Sequence, residues 1–258
     1  MLEDLAIVLK GNAMEKKRCT AVLLSAGSGS RMKSNVAKQY MMVNGKPLIW
    51  YALQTIEQSE IIDDCVMVTG ASDIDFVREE IVEKYGFTKV DRIVAGGAER
   101  YLSVANALKL IAEDGLTVPN KDGFVFIHDG ARPFLTEKIL KDTYEAVGKF
   151  HACVAAVPSK DTIKIADEQG FAVQTPDRRR VWNIQTPQVF DTKLITEAYT
   201  RLVQELPRLK AQGIAVTDDA SVVELFTEQK VKLVEASYEN IKITTPEDVC
   251  TAEAWIRS

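Results

Sequence analysis

The chain of 258 residues is 46% hydrophobic and 27% charged, a composition that supports a sizeable core and excludes a largely disordered protein. Its formal net charge of −5 argues against general binding of nucleic acid or of an anionic membrane surface. No apolar run approaches the roughly 20 residues of a membrane span, and an anionic substrate would need a local cluster of basic residues.

The first 18 residues lack the basic start, long apolar stretch and cleavage site of a secretory signal. We expect residues 1–18 to be a loosely attached extension and residues 19–258 to form a single domain. The four cysteines are scattered without a CxxC pair, and the chain has only two histidines. This pattern disfavours a zinc site or a disulfide framework and predicts reduced thiols in a cytoplasmic protein.

Short apolar runs alternate with amphipathic helical segments along the first 158 residues. In chain order they read "TAVLLSA", "KPLIWYALQTIEQ", "CVMVT", "SDIDFVREEIVEKYG", "RIVAGG", "ERYLSVANALKLIAEDG", "GFVFIHD", "TEKILKDTYEAVGKF" and "ACVAAVP". Ser72 and Thr136 have the character of helix caps. The alternation predicts an α/β fold, with a mainly parallel sheet and helices on both faces. Ligands of such sheets bind at the carboxyl ends of the strands.

From Ser159 to about Phe190 the pattern changes, and polar residues alternate with apolar ones. "DEQG" gives a turn and "FAVQT" a returning strand, which together predict a protruding β-arm over about 159–180. The arm could be a solvated flap or an element exchanged between subunits. The chain then returns to a strand, a loop and a final helix that begins near Pro246.

The loop after the first strand has two glycines, Gly27 and Gly29, followed by Arg31. Met32 stands where a dinucleotide-binding loop needs a third glycine, which disfavours a nicotinamide oxidoreductase, and no Walker loop is present. Backbone N–H groups of such a loop can bind phosphate oxygens, while Arg31 and Lys38 could neutralise charge during nucleotidyl transfer. The alternative is a plain surface turn with solvated basic residues.

The second informative loop, "HDGARPF", follows a predicted strand. Asp129 could hold Mg²⁺ through phosphates, and Arg132 could bind a substrate phosphate with two hydrogen bonds. The alternative is an Asp–Arg ion pair that closes a turn. His128 lies within the strand, where a packed role is favoured over a catalytic one.

Three later motifs allow both a functional and a structural interpretation. The arginines at 178–180 either meet an anion or form a solvated basic turn. In "TDDAS", Asp218 and Asp219 either bind a metal or begin a helix. Lys242 falls in a strand-like run, "NIKIT", where burial would require an anionic partner.

Taken together, these motifs resemble those of a known family. "SAGSGSRM", "KQY", "GGAERYLSV", "HDGARPF", "DTIK", "DRRRVWNIQTPQVF", "TDDAS" and "NIKITTPED" occur in the order seen in 2-C-methyl-D-erythritol 4-phosphate cytidylyltransferases of the non-mevalonate isoprenoid pathway. The resemblance runs from about Cys19 to the C-terminus. It implies a Rossmann-like fold and transfer of CMP from CTP to 2-C-methyl-D-erythritol 4-phosphate, with release of pyrophosphate. It also implies Mg²⁺ with the triphosphate, and a homodimer joined through the β-arm.

The resemblance assigns roles to individual residues. Arg31 and Lys38 match the catalytic cations that stabilise the transition state. Arg178 and Lys242 match the catalytic cations that position the polyol phosphate. The nucleotide contacts match Ser25, Ala26, Gly27, Gly29, Gly97, Ala98 and Ser103. Other polyol-phosphate contacts match Asp129, Arg132, Thr162, Thr186 and Thr217. The resemblance implies that Thr162 and Arg178 come from the partner's arm.

Ala98 departs from family members that carry an acid in "GGDER", so we expect only its backbone to contact the base. A cytidylyltransferase for another polyol phosphate, such as ribitol 5-phosphate, is the nearest alternative, although the "DRRRVWNIQTPQ" run disfavours it. A non-catalytic nucleotide-binding protein on the same fold is a further alternative. The joint presence of Arg31, Lys38, Arg178 and Lys242 argues against it.

Overall fold

A computed structural model describes residues 16–27 and 37–257, and within them a central sheet of seven strands. The sheet strands are β1 (Cys19–Leu24), β4 (Asp64–Thr69), β5 (Val90–Ala95), β6 (Phe124–Asp129), β7 (Ala152–Pro158), β10 (Trp182–Asp191) and β11 (Lys232–Glu235). Two small ribbons are formed by β2 (Met42–Val43) with β3 (Lys46–Pro47), and by β8 (Ile165–Ala166) with β9 (Ala172–Gln174).

The strand order across the sheet is β11-β7-β10-β6-β1-β4-β5. All neighbouring strands are parallel except β10, which runs antiparallel to both β6 and β7. The predicted mainly parallel sheet is therefore confirmed. Leu24 is in register with Val68 on one side and with Asp129 on the other, so three strands end at one edge of the sheet.

Helices cover both faces of the sheet, as the alternation predicts. They are α1 (Leu48–Gln58), α2 (Ile74–Phe76, continuing as the wider π-helix Val77–Glu83), α3 (Arg100–Ala112), α4 (Glu137–Phe150), α5 (Thr192–Ala211), α6 (Asp219–Phe226) and α7 (Pro246–Arg257). Ala21 and Leu23 of β1 pack with α1 and α4, whereas Val22 packs with α3 and α5. The strand thus contributes to both cores because successive side chains point to opposite faces.

The two predicted helix caps have different outcomes. Thr136 precedes α4, and its hydroxyl accepts a hydrogen bond from the Ile139 amide at 3.3 Å, which confirms the prediction. The prediction for Ser72 is wrong. Ser72 lies inside a 3₁₀ turn, closed by the Asp73 amide bonding to the Gly70 carbonyl at 2.9 Å, and its hydroxyl donates to the Asp73 carboxylate instead.

The predicted hairpin is present as β8 and β9. Asp167 Oδ1 accepts the amides of Gln169 and Phe171 at the turn, where Gly170 adopts a positive φ of 86°. All residues from 160 to 175 are exposed, including the apolar side chains Ile163, Ile165, Phe171 and Val173. The polar alternation after Val181 belongs to β10 of the central sheet and not to the arm. Among the residues described, no helix combines the length and apolar character that crossing a membrane needs.

Candidate active site

A cavity of about 340 Å³ opens where β1 and β6 end. Its lining contains nine residues that the sequence predicts for the site, namely Ser25, Ala26, Gly27, Lys38, Gly97, Ala98, Ser103, Asp129 and Lys242. It also contains five that the sequence analysis did not assign, namely Leu24, Gln39, Glu99, Arg100 and Ala131. The predicted roles of Gly29 and Arg31 concern positions outside the described residues.

The first wall of the cavity is the start of the glycine loop. The Ser25 amide donates to the Val68 carbonyl at 2.7 Å, which ties the loop to β4. Gln39 is buried, and its side-chain amide donates to the carbonyls of Ser25 and Gly27. The start of the loop, from Ser25 to Gly27, is therefore held from both sides. Lys38, next to Gln39, lies in the cavity wall.

The second wall is the glycine pair that follows β5. A Cβ atom on Gly96 would lie 2.3 Å from the Ala26 Cβ, and one on Gly97 would lie 2.4 Å from the Leu102 Cβ. Only glycine allows this close approach of the two loops. The Gly97 amide donates to the Ser103 hydroxyl at 3.0 Å, so Ser103 fixes the backbone that faces the cavity.

Asp129 forms the charged floor of the site. Its Oδ2 accepts from Lys242 Nζ at 2.8 Å, and its Oδ1 accepts from Arg100 Nε at 3.2 Å. Burial alone would raise the pKa of Asp129, but the cations Arg100 and Lys242 outweigh burial and hold that pKa well below its usual range. Asp129 therefore remains a carboxylate throughout the physiological pH range.

Lys242 is only partly buried and has the predicted anionic partner, Asp129, but the prediction that it lies in a strand is wrong. Residues 236–245 form a loop between β11 and α7. The Ile243 amide bonds to the Ala131 carbonyl at 2.8 Å, which places the loop against the "HDGARPF" segment. A strand-like run can thus be a buried loop when its backbone bonds to another loop instead of a strand.

Arg132 and Thr186 lie beside Asp129. The Thr186 hydroxyl accepts the Asp129 amide at 3.1 Å, and Arg132 Nη1 donates to the Asn240 carbonyl at 2.7 Å. The buried Asn240 in turn donates to the Thr186 carbonyl at 2.8 Å. Arg132 Nε is 4.0 Å from Asp129 Oδ2, so the predicted Asp–Arg pair is present but is the longest of the Asp129 ion pairs.

Five predicted substrate residues do not line the cavity of one chain. Arg132 and Thr186 contact Asp129, whereas Thr162, Arg178 and Thr217 are exposed elsewhere. Thr162 and Arg178 are exposed on and beside the arm, and Arg178 Nη1 donates to the Lys160 carbonyl at 3.3 Å. Thr217 is exposed just before α6. The structure of the single chain therefore brings together the start of the nucleotide loop and the Asp129 group, but not Thr162, Arg178 and Thr217.

Arg100 is the main residue that the sequence analysis missed. It begins α3 directly after the glycine pair, and it reaches both Asp129 and Asp219. The sequence pattern that could have indicated it is "GGAER", in which a basic residue ends the loop after a strand. Asp218 caps α6 by accepting the Ser221 amide at 3.0 Å, so the structure favours the helix-start interpretation of "TDDAS" for Asp218. Asp219 is fully buried, and its carboxylate pairs with Arg100.

His128 is packed, as predicted. Its Nε2 bonds to the Arg132 carbonyl at 3.1 Å, and its Nδ1 lies 3.0 Å from the Thr186 hydroxyl. A carbonyl can only accept, so Nε2 carries the proton and Nδ1 accepts from Thr186, as in a neutral imidazole. Burial lowers the pKa of His128 to about 4, which agrees with this assignment.

The parallel sheet, the glycine loop beside Lys38 and the cations around Asp129 define the class of the protein. It has a Rossmann-like α/β fold whose cavity, at the carboxyl ends of the strands, suits a phosphate-bearing ligand such as a nucleotide.

Comparison with known proteins identifies the family. The family model of 2-C-methyl-D-erythritol 4-phosphate cytidylyltransferase matches residues 19–258. A protein of that name from Lachnospira eligens is 46% identical over 238 residues, covering 92% of this chain and 99% of the relative. Another, from Lachnoclostridium phytofermentans, is 43% identical over 241 residues, covering 93% and 97%. The crystal structure of 4-diphosphocytidyl-2C-methyl-D-erythritol synthase from Anaerococcus prevotii matches with a TM-score of 0.78 and 36% identity, covering 94% and 97%. The chain belongs to the 2-C-methyl-D-erythritol 4-phosphate cytidylyltransferase family.

The neutral state of His128 makes stability dependent on pH. The unfolded chain protonates this histidine below about pH 6.5, whereas the folded chain resists protonation down to about pH 4. Stability is therefore lost as the pH falls from about 6.5 to 4, by about 3 kcal/mol from this group. Urea unfolding at several pH values measures the free energy of unfolding. That free energy should fall less steeply between about pH 6.5 and 4 in His128→Gln than in the unmodified protein.

His151→Gln is the matched control, because His151 is the chain's other histidine and is exposed. If both variants changed the pH dependence of the free energy of unfolding equally, that result would contradict the assignment to His128.

Proposed function

We propose that this cavity performs the family's reaction, in which CMP passes from CTP to 2-C-methyl-D-erythritol 4-phosphate. The products are 4-diphosphocytidyl-2-C-methyl-D-erythritol and pyrophosphate. The observation that carries the proposal is the family match over residues 19–258, together with a cavity lined by the start of the glycine loop, Lys38, Asp129 and Lys242.

The nucleotide half of the cavity lies between the two glycine walls. We assign the triphosphate to the glycine loop, where backbone N–H groups and Lys38 can meet phosphate oxygens. We assign the cytosine to the backbone around Gly97 and Ala98, with Ser103 holding that backbone in place. Ala98 has no polar side chain, so the base must be read by backbone groups. A role for Arg31 beside the α-phosphate stays a prediction.

The polyol-phosphate half lies at the end of β6. Lys242 and Arg132 provide positive charge for the phosphate, while Asp129 and Thr186 offer hydrogen-bonding groups for the polyol. The polyol phosphate is already ionised at neutral pH, so no general base is needed. One of its oxygens attacks the α-phosphorus of CTP in line, the bond to the β-phosphate oxygen breaks, and pyrophosphate leaves.

Catalysis in this scheme consists of positioning and charge neutralisation. We assign Lys38, in the cavity wall, to the charge that develops on the α-phosphate oxygens, and Lys242 to positioning of the polyol phosphate. The neutral, packed His128 needs no part in the reaction, because no proton has to be removed from the nucleophile.

Magnesium is proposed to arrive with the triphosphate. Both oxygens of Asp129 already accept hydrogen bonds from cations, and the described residues contain no group of three or more His, Cys, Asp or Glu side chains arranged for a metal ion. The protein side of the site does not form a metal cage, and we derive no step through a protein-bound ion. A direct role for Asp129 as a ligand stays a prediction.

We also propose a homodimer and a cytoplasmic location. The arm exposes Ile163, Ile165, Phe171 and Val173, and an isolated two-stranded hairpin is marginally stable in water. Packing against the arm of a second subunit would cover these side chains in a two-fold contact. Three of the four cysteines are buried and unpaired, which is consistent with a reducing compartment.

A pyrophosphate-release assay tests the reaction. The purified protein with CTP and Mg²⁺ should turn over 2-C-methyl-D-erythritol 4-phosphate much faster than ribitol 5-phosphate or glycerol 3-phosphate. CTP should also exceed UTP and ATP as the nucleotide. A preference for ribitol 5-phosphate, or equal rates with UTP, would contradict the assigned substrates.

Lys38→Ala should lower kcat by about 10²-fold or more, with only a modest change in the KM for CTP, because the lysine acts mainly in the transition state. Steady-state kinetics measure both constants. Lys109→Ala, on the exposed face of α3, is the control for loss of a lysine. A near-normal kcat in Lys38→Ala would remove this residue from the mechanism.

If each active site contains residues from both subunits, two nearly inactive variants should complement each other in a mixed dimer. If Arg178 acts in the partner's site, a mixed dimer of Arg178→Ala and Lys38→Ala has one site with both lesions and one with neither. Random exchange should restore up to about a quarter of the normal activity, since half the dimers are mixed and each has one intact site.

Mass spectrometry of the intact dimers would establish that subunits have exchanged. No recovery despite exchange would place Arg178 in the site of its own chain. A fully active monomer in sedimentation experiments would contradict the shared site altogether.

A further inference from the structure

Arg100 is held between two carboxylates at the edge of the cavity. Its Nη1 and Nη2 donate to Oδ1 and Oδ2 of Asp219 at 2.9 and 2.8 Å, and its Nε donates to Oδ1 of Asp129 at 3.2 Å. Asp219 is fully buried and receives a further hydrogen bond from the Tyr199 hydroxyl at 2.5 Å. The chain of contacts runs from the core between α5 and α6 to the floor of the site.

We propose that Asp219 is a positioning residue for the reaction and that it acts on Asp129 through Arg100. The planar guanidinium is fixed by its two-point contact with Asp219, and its Nε is then aimed at one oxygen of Asp129. This leaves the other oxygen of Asp129 directed at Lys242 and toward the polyol phosphate. The inference rests on the proposed function, since it concerns the polyol-phosphate half of that site.

The start of helix α6 does not need the Asp219 carboxylate. Asp218 supplies the cap, and Gln188 of β10 accepts the Ala220 amide at 2.8 Å and donates to Asp218 at 3.0 Å. A buried carboxylate is costly unless it is well paired, and here each pairing leads to Arg100 or Tyr199. The Asp219 side chain is therefore directed toward the active site and away from the helix terminus.

Loss of the Asp219 charge would change what Arg100 contacts. With Asp129 as its only remaining carboxylate, the guanidinium would turn fully toward Asp129 and compete with Lys242 and the polyol for the same oxygens. The effect should therefore appear in the use of the polyol phosphate. Among the described residues that we assign to CTP, Ser25, Gly27 and Ser103 form no hydrogen bond with Asp219 or Tyr199.

The first test compares two isosteric substitutions of buried aspartates. Asp219→Asn should raise the KM for 2-C-methyl-D-erythritol 4-phosphate or lower kcat, with a combined loss in kcat/KM of about 10- to 100-fold, and should change the KM for CTP less than about threefold. Asp64→Asn is the matched control. Asp64 is also buried and paired with an arginine, Arg18, but it begins β4 at the opposite end of the sheet. It should lower the melting temperature without this selective loss.

The second test asks whether Asp219 acts through Asp129. In an Asp129→Asn background, measured with radiolabelled CTP, adding Asp219→Asn should cost less than about threefold, because the group it positions is already gone. A merely structural role would give the same loss in both backgrounds, and that result would overturn the proposal.

Arg100→Lys provides an independent route should Asp219→Asn fail to fold. Lysine keeps the positive charge but cannot bridge two carboxylates in one plane, so the same selective loss, again absent in the Asp129→Asn background, is expected. Equal losses for both substrates would overturn the proposal. The proposed function is judged separately, since its failure would appear as inactivity of the unmodified protein with these substrates.

Discussion

The structure depends most directly on the buried carboxylate of Asp129 at the end of β6. An ionised group without a partner is very costly in a protein interior, so the fold must bring cations to it from elsewhere in the chain. Arg100 comes from the start of α3 and Lys242 from the loop before α7, both within hydrogen-bond distance. The arrangement of β1, β4 and β6 side by side is what makes this possible, because parallel strands end at the same edge.

The same cluster provides local positive charge for anionic substrates in a protein whose net charge is negative. Three cations, Arg100, Arg132 and Lys242, surround two carboxylates, Asp129 and Asp219, which leaves the cluster with one positive charge in a chain whose net charge is −5. The carboxylates hold the cations in fixed positions before any substrate arrives. Charge neutralisation in the transition state then requires little reorganisation, which is the main benefit of a preorganised polar site.

Much of the fold followed from periodicity, because each strand of the parallel sheet is a short apolar run and each helix has one apolar face. The errors arose where a local pattern competed with tertiary hydrogen bonds. Lys242 lies in a loop because the Ile243 amide bonds to the "HDGARPF" segment, and Ser72 lies in a 3₁₀ turn closed through Gly70. The local sequence "GGAER" could indicate Arg100 as a site residue, but not its pairing with Asp219, which is 119 positions away.

The two substrate halves of the site differ in how they are held. Ser25 at the start of the glycine loop, Ser103 and the Asp129 cluster are fixed by hydrogen bonds within the same chain, and most of these groups are buried. Thr162 and Arg178 are exposed on or beside a hairpin with no core of its own. Residues so weakly held gain a defined position only when the hairpin packs against something else. The described part of the nucleotide half is therefore ordered within a single chain. In the proposed homodimer, an intersubunit contact would order the arm's contribution and so link assembly to the use of the polyol phosphate.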